Sequence, residues 1–282
     1  MKYSISADIM FVLEALDIYV PDLASSLGVA RSTIHRLLGE VVEPSKPFLE
    51  KFYSFAYSQG LRINELKCRF NKETYKEILC HGARKPIEGP IDLEHSRQDI
   101  DVGVGFYMGE SYYQASSYVF GYKDSIVYVI DTKQLKKLKT KYLDVSLEWV
   151  IMVCYFRGQI EKYKNTDYIQ NLIKDLSQYD VIVAPIADNN MYDIMTRFAR
   201  GDITDTQTMF ALKASHLGKQ YVLKTKKACN AVEIVDQLYL CEQEKKDIEH
   251  QRREDAITSF SQSRDAIEKY RREGKYIEEL LK

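Results

Sequence analysis

The chain has 282 residues, 45% of them hydrophobic and 29% charged, the make-up of a soluble globular protein with room for one large domain or two smaller ones. A formal net charge of −1 excludes a global basic field drawing it to nucleic acid. No apolar run approaches the roughly 18 residues of a membrane-crossing helix. The five cysteines are spread widely without a C-x-x-C pair, which predicts free thiols in a reducing cytoplasm and no zinc site.

In chain order, acidic residues break the apolar part of the N-terminus and no small-residue cleavage site follows, so it reads as mature protein. Residues 1–66 read as an all-helical domain. Ile9, Met10, Val12, Leu13 and Leu16 recur at helical spacing. Pro21 opens a short helix with Leu23, Ala24 and Leu27 inward, Gly28 makes a turn, and Val29, Ile34, Leu37 and Leu38 face back onto the bundle. A further helix is expected from about Pro47 to Ser58, ended by Gly60.

Residues 72–237 mix strands and helices. Apolar runs predict strands at Ile78–His81, Gly105–Met108, Ile126–Ile130, Val181–Pro185 and Gln220–Leu223. Helices are expected near 111–119, 146–156, 166–176, 189–199 and 205–214. The polar segment 82–104, with Pro86, Gly89, Pro90 and Gly103, is a loop of a length more often functional than connective. Residues 238–282 are highly charged with a thin apolar stripe that includes Ile248, Ile257, Phe260, Ile277 and Leu281. They predict two helices docked on the body or on a partner, or else a solvated helical tail.

The chemistry concentrates in residues 77–119. His81-Gly82 ends a strand, Gly103-Val104-Gly105-Phe106-Tyr107 follows the long loop, and a helix then presents Tyr118, eleven residues after Tyr107. Each feature alone has a bland explanation. His-Gly is a common strand end, G-x-G-F-Y lacks the third glycine and βαβ setting of a Rossmann fingerprint, and both tyrosines suit a core. Together, in this order and spacing, they resemble the ADP-ribosyltransferase superfamily, in the branch with a His-Tyr-Glu signature.

The closer resemblance is to a bacterial family of ADP-ribosyltransferase-like domains, through Ser96-Arg97, Asp101-Val102-Gly103-Val104-Gly105-Phe106-Tyr107, Gln114-Ala115, Leu147-Glu148-Trp149, Ala187-Asp188 and Gln220-Tyr221-Val222. Val102 departs from a usual Phe. The resemblance spans about 75–235. It implies an α+β fold with an ADP-ribosyltransferase-like split β-sheet core, flanked by the N-terminal all-α domain and the C-terminal helical tail.

The resemblance also implies NAD⁺ as substrate. His81 would meet a ribose hydroxyl, Gly82 would offer its backbone to the carboxamide, and Tyr107 and Tyr118 would sandwich the nicotinamide ring. Loss of nicotinamide builds an oxocarbenium-like cation, which fixed dipoles stabilise. At the third signature position the polymerases of this branch have glutamate; here alignment places Gln220, which holds a hydroxyl but brings no charge and no base. Glu110 is set aside as a substitute because it lies on the turn after Tyr107 rather than on the late strand. Arg84 and Arg97 are candidates for the pyrophosphate, or plain surface arginines. Asp188 is read as a helix cap.

The segment ASSLGVARSTIHRLL resembles the helix-turn-helix of phage-repressor-type regulators, which implies DNA contacts from Arg31, Ser32, Thr33, His35 and Arg36. Residues 1–66 nevertheless hold six Lys and Arg against eight Asp and Glu, poor for neutralising phosphates. Docking on the catalytic domain, dimerisation or a partner protein are the alternatives.

The leading expectation is a cytoplasmic mono-ADP-ribosyltransferase that modifies a protein or nucleic acid. By resemblance alone it would be a toxin-like effector of a toxin–antitoxin or defence locus, with an antitoxin as partner. The rivals are a non-catalytic regulator that senses NAD⁺ or ADP-ribose while bound to DNA, and an NAD⁺ glycohydrolase.

Overall fold

A computed structural model describes residues 5–93, 100–187, 189–213, 218–271 and 273–282, and gives side chains for all of these except 189 and 190. The chain opens with five helices: α1 (Ser6–Ala15), α2 (Val20–Leu27), α3 (Arg31–Leu38), α4 (Lys46–Ser58) and α5 (Ile63–Tyr75). Gly28 closes α2 in the left-handed conformation at φ 61°, which turns the chain into α3. Ser45 caps α4 by accepting from Phe48 N at 3.3 Å. Ile9, Val12, Leu23, Leu27, Ile34, Leu37 and Phe52 build the bundle core, as their spacing predicts. The helix α5 runs past residue 66 and leads directly into the sheet.

The body follows as β1 (Ile78–Ala83), β2 (Phe106–Gly109), α6 (Tyr112–Val119), β3 (Ile126–Asp131), β4 (Thr140–Tyr142), α7 (Leu147–Phe156), α8 (Asp167–Leu176), β5 (Val181–Pro185), α9 (Asn189–Arg200), α10 (Asp205–Lys213), β6 (Lys219–Leu223), α11 (Lys226–Cys229) and β7 (Glu233–Tyr239). Among the described residues the strands form one seven-stranded mixed sheet in the order β4-β5-β6-β2-β1-β3-β7. Among the described strands only β4 and β5 pair in parallel.

Side chains alternate across a strand, so each face has its own cover. On one face Ile182, Ala184 and Val222 pack beneath α7, α8, α9 and α10, with Trp149 and Phe198 fully buried. Farther along that face Cys80, Val127, Val129 and Leu238 pack beneath α6. The opposite face carries Leu79, Phe106, Met108, Tyr128, Ile130, Val183 and Leu223.

The pairing is uneven. β1 matches β3 over six residue pairs and β2 matches β6 over four, whereas β1 and β2 share one register pair, Cys80 with Gly109. The sheet therefore comes apart between β1 and β2 just beyond Cys80.

The charged C-terminal segment forms α12 (Glu242–Lys269), one helix of 28 residues, and the short α13 (Ile277–Leu280). It docks on the body: Ile248 is buried beside α6, and Ile277 and Leu281 enter the core under α7 to α10. Between those anchors Ile257 and Phe260 remain exposed. No helix among the described residues is long and apolar enough to cross a membrane.

Candidate functional site

Where β1 separates from β2, two of the predicted site residues, His81 and Tyr107, come into contact. His81 Nδ1 lies 2.6 Å from the carbonyl oxygen of Tyr107. A carbonyl only accepts, so Nδ1 is the protonated nitrogen and donates. Burial lowers the His81 pKa to about 4, so the ring is neutral near pH 7 and its Nε2 is an acceptor. The ring stacks on Phe106 with centroids 4.1 Å apart. Strand alternation sends Tyr107 to the opposite face, where it packs against the large core.

Tyr107 does more than present a ring. Its hydroxyl donates to Gly103 O at 2.7 Å and accepts from Val102 N at 3.1 Å, which ties the glycine segment to β2. Burial, with Asp101 and Tyr118 nearby, holds its pKa far above the ordinary phenol value. Gly103 sits at φ 68°, and a Cβ there would meet the Phe156 ring at 2.6 Å. The residue must be glycine on both counts. Lys224 Nζ donates to Val102 O at 2.6 Å, a clasp on the same segment that sequence reading did not single out. Burial lowers the pKa of that ammonium to about 8.

Gly82 also has a packing reason to be glycine. A Cβ at this position would lie 2.3 Å from Ala115 O and 3.1 Å from Val119 Cγ1. Its missing side chain admits α6 against β1. One turn beyond Ala115, Tyr118 stands 60% exposed. The pair Gln114-Ala115 has a structural explanation as well. Gln114 completes a capping box with Ser111, and its Oε1 accepts from Glu110 N at 2.7 Å and Ser111 N at 3.1 Å.

Gln220 is buried on the face that carries Tyr107, opposite Gly109 across β2 and β6. Its Nε2 donates to Asp101 Oδ2 at 2.8 Å and to Pro185 O at 2.9 Å. Asp101 is 1% exposed; it also accepts from Ala187 N at 3.2 Å and pairs with Arg157, whose Nη2 reaches Ala187 O at 2.8 Å. Asp101 was visible only as the first residue of the glycine motif, and Arg157 carried no signal. Their 56-residue separation closes only in the fold.

The remaining candidates are scattered. Glu110 was set aside because of its place on a turn, yet that turn adjoins the late strand, and its carboxylate accepts from Lys219 N at 3.2 Å. It is exposed, and alternation along β2 puts it on the face opposite Gln220. The Arg84 guanidinium lies over the Tyr122 ring at 4.3 Å, on the surface. Arg97, Ser96 and Asp188 lie outside the described residues. On α3, Arg31, Ser32, His35 and Arg36 are exposed and Thr33 is half-buried, while Ile34 and Leu37 turn inward. No group of three or more residues among those described is placed to hold a metal ion.

The family described as "Protein of unknown function (DUF3990)" matches residues 78–234, from the start of β1 into β7. No curated protein and no solved structure matches. The match takes in the split between β1 and β2, the glycine segment and the buried Asp101–Gln220 pair; it covers more than half of the chain, which therefore belongs to the DUF3990 family.

Proposed function

We propose that this chain binds NAD⁺ at the split between β1 and β2 and transfers its ADP-ribose to a macromolecular acceptor. One observation carries the reading. His81 and Tyr107, both picked out by resemblance, meet where β1 and β2 share a single register pair among the described residues, His81 Nδ1 lying 2.6 Å from Tyr107 O, and Gln220 lies one strand farther along on the Tyr107 face.

Each group has a matching capability. His81, kept neutral by burial and held in its Nδ1–H tautomer by the bond to Tyr107 O, offers Nε2 to a ribose hydroxyl. Tyr118 supplies an exposed face for nicotinamide, and the Tyr107 ring, anchored through its hydroxyl, is held without rotamer freedom. Fixed dipoles around the breaking glycosidic bond favour the cation that develops there. Gln220 brings no charge of its own, in keeping with a single transfer to an acceptor that is already nucleophilic or carries its own base. In this reading the core is the split sheet of the ADP-ribosyltransferases, working in the cytoplasm. The N-terminal helices are a repressor-type helix-turn-helix that delivers or regulates the enzyme, and an antitoxin protein is the partner sought.

A second reading rests on the exposed side chains of α3 and the uncharged Gln220: a DNA-bound regulator that senses NAD⁺ or ADP-ribose without turnover. Incubation of the purified chain with labelled NAD⁺ and a cell lysate separates the readings, with His81→Ala as control. Label on a protein or nucleic acid, lost in the control, is the expected result. Nicotinamide release without label transfer would make the chain a glycohydrolase. NAD⁺ binding with neither signal would favour the sensor, and no binding at all would overturn both readings.

A further inference from the structure

We propose that Asp101 is a positioning residue that fixes the polarity of Gln220, so that the amide meets the ligand as a hydrogen-bond acceptor, and that a glutamate at 220 is incompatible with this site. The inference rests on the NAD⁺ reading above and concerns how its third signature position works.

The orientation of a side-chain amide follows from its neighbours. One arm of Gln220 lies 2.8 Å from a carboxylate oxygen of Asp101 and 2.9 Å from the carbonyl oxygen of Pro185. Both are acceptors, so that arm is the NH₂ group and both of its protons are used. The other arm is therefore Oε1, which receives no hydrogen bond from the described residues. It belongs to a side chain on the Tyr107 face, one strand from the split. An acceptor there suits a ribose hydroxyl, which donates.

Asp101 is itself held in place. The Ala187 backbone and the Arg157 guanidinium donate to it, and Arg157 is braced in turn on Ala187 O. Negative charge is thus present next to the late strand, but it sits behind Gln220 and is shared with Arg157. A glutamate at 220 would bring a carboxylate oxygen against Asp101 Oδ2 and Pro185 O, two acceptors with nothing to donate. The same arrangement explains why glutamine stands where the polymerases of the resembling branch have glutamate.

The test compares Gln220→Glu, Asp101→Asn and the double variant, following NAD⁺ affinity by calorimetry and nicotinamide release over pH 4–9. Gln220→Glu is expected to lose at least tenfold in release. In the double variant the asparagine amide donates to the new carboxylate, and most of the loss is recovered. Release by the double variant also gains an acid limb from that carboxylate, absent in the wild type, which a purely structural role for Asp101 would not produce. Gln220→Glu as active as wild type would overturn the inference alone, as would a double variant with no recovery and no acid limb. Should Gln220→Glu not fold by itself, the acid limb of the double variant decides. A wild-type chain that neither binds NAD⁺ nor releases nicotinamide removes the NAD⁺ reading, and this inference with it.

Discussion

Replacement of Tyr107 by phenylalanine separates two roles that the sequence places on one residue. The ring stays, so a stacking surface is kept. The hydroxyl is lost, and with it the bonds to Gly103 O at 2.7 Å and Val102 N at 3.1 Å. Val102 is fully buried and Gly103 is buried, so water does not readily replace the missing partner. A buried donor or acceptor left unpaired costs about 1–3 kcal/mol, and relaxation of the glycine segment brings the pair toward the lower part of that range for each group. A net loss of roughly 2 kcal/mol corresponds to a fall in Tm of about 4–8 °C at about 2–4 °C per kcal/mol for a domain of this size class. Calorimetric melting with and without NAD⁺ measures both effects. The expected result is a lowered Tm with NAD⁺ affinity within a few-fold of wild type, whereas Tyr107→Ala loses the affinity as well. A Tyr107→Phe variant that melts within a degree of wild type would refute the view that this hydroxyl holds the glycine segment.

The close approach at Gly82 predicts that Gly82→Ala displaces α6, because Cβ would meet Ala115 O at 2.3 Å. A destabilisation of about 1–3 kcal/mol by denaturant titration is expected, together with weaker NAD⁺ binding as Tyr118 moves, while Gly121→Ala, which meets nothing within 4 Å, should stay near neutral. Glu244 predicts a pH dependence of stability. Burial raises its pKa to about 7 against the opposing hydrogen bonds from Tyr112 and Asn64. Below about pH 4.5 folded and unfolded chains are both protonated there; as pH rises toward 7 only the unfolded chain ionises, so stability falls, by roughly 3 kcal/mol once pH exceeds 7. Glu244→Gln should flatten that part of a Tm-against-pH curve, and an unchanged slope would assign the dependence to another group.

The parts of the fold that the sequence made legible are those with strong local patterns. The buried strand Val181–Pro185 is a continuous apolar run, and the strand has the limits that the run predicts. The strands that escaped have weak patterns. β4 is three residues at an edge, and β7 mixes Glu233, Asp236 and Gln237 into its length, with a register irregularity opposite Val129 and Ile130. In the candidate site, resemblance points to Tyr107 and Gln220, whereas Asp101 and Arg157 meet only in the fold, and no periodicity reports a contact between distant positions. Gly82 shows the converse case. Resemblance points to the residue, while the close approach of the Ala115 carbonyl is visible only in the packing of α6.

The three zones of the sequence also turn out to share a joint. The Asn64 amide nitrogen of α5 lies 3.0, 2.8 and 2.9 Å from the Tyr112 hydroxyl of α6, Tyr239 O at the end of β7 and Glu244 of α12, three acceptors that share its two protons. Tyr112 in turn donates to Glu244 at 2.7 Å. Buried polar groups of this kind are costly when left unpaired, so the N-terminal helices, the charged tail and α6 are bound to one geometry. The helix α6 is also the element whose Ala115 rests on Gly82 and whose next turn carries Tyr118. A ligand or partner that shifts α5 against α12 must therefore move the element that forms one wall of the proposed NAD⁺ site. The coupling runs both ways, since a ligand that favours one position of α6 favours the same position of the N-terminal helices by an equal free energy.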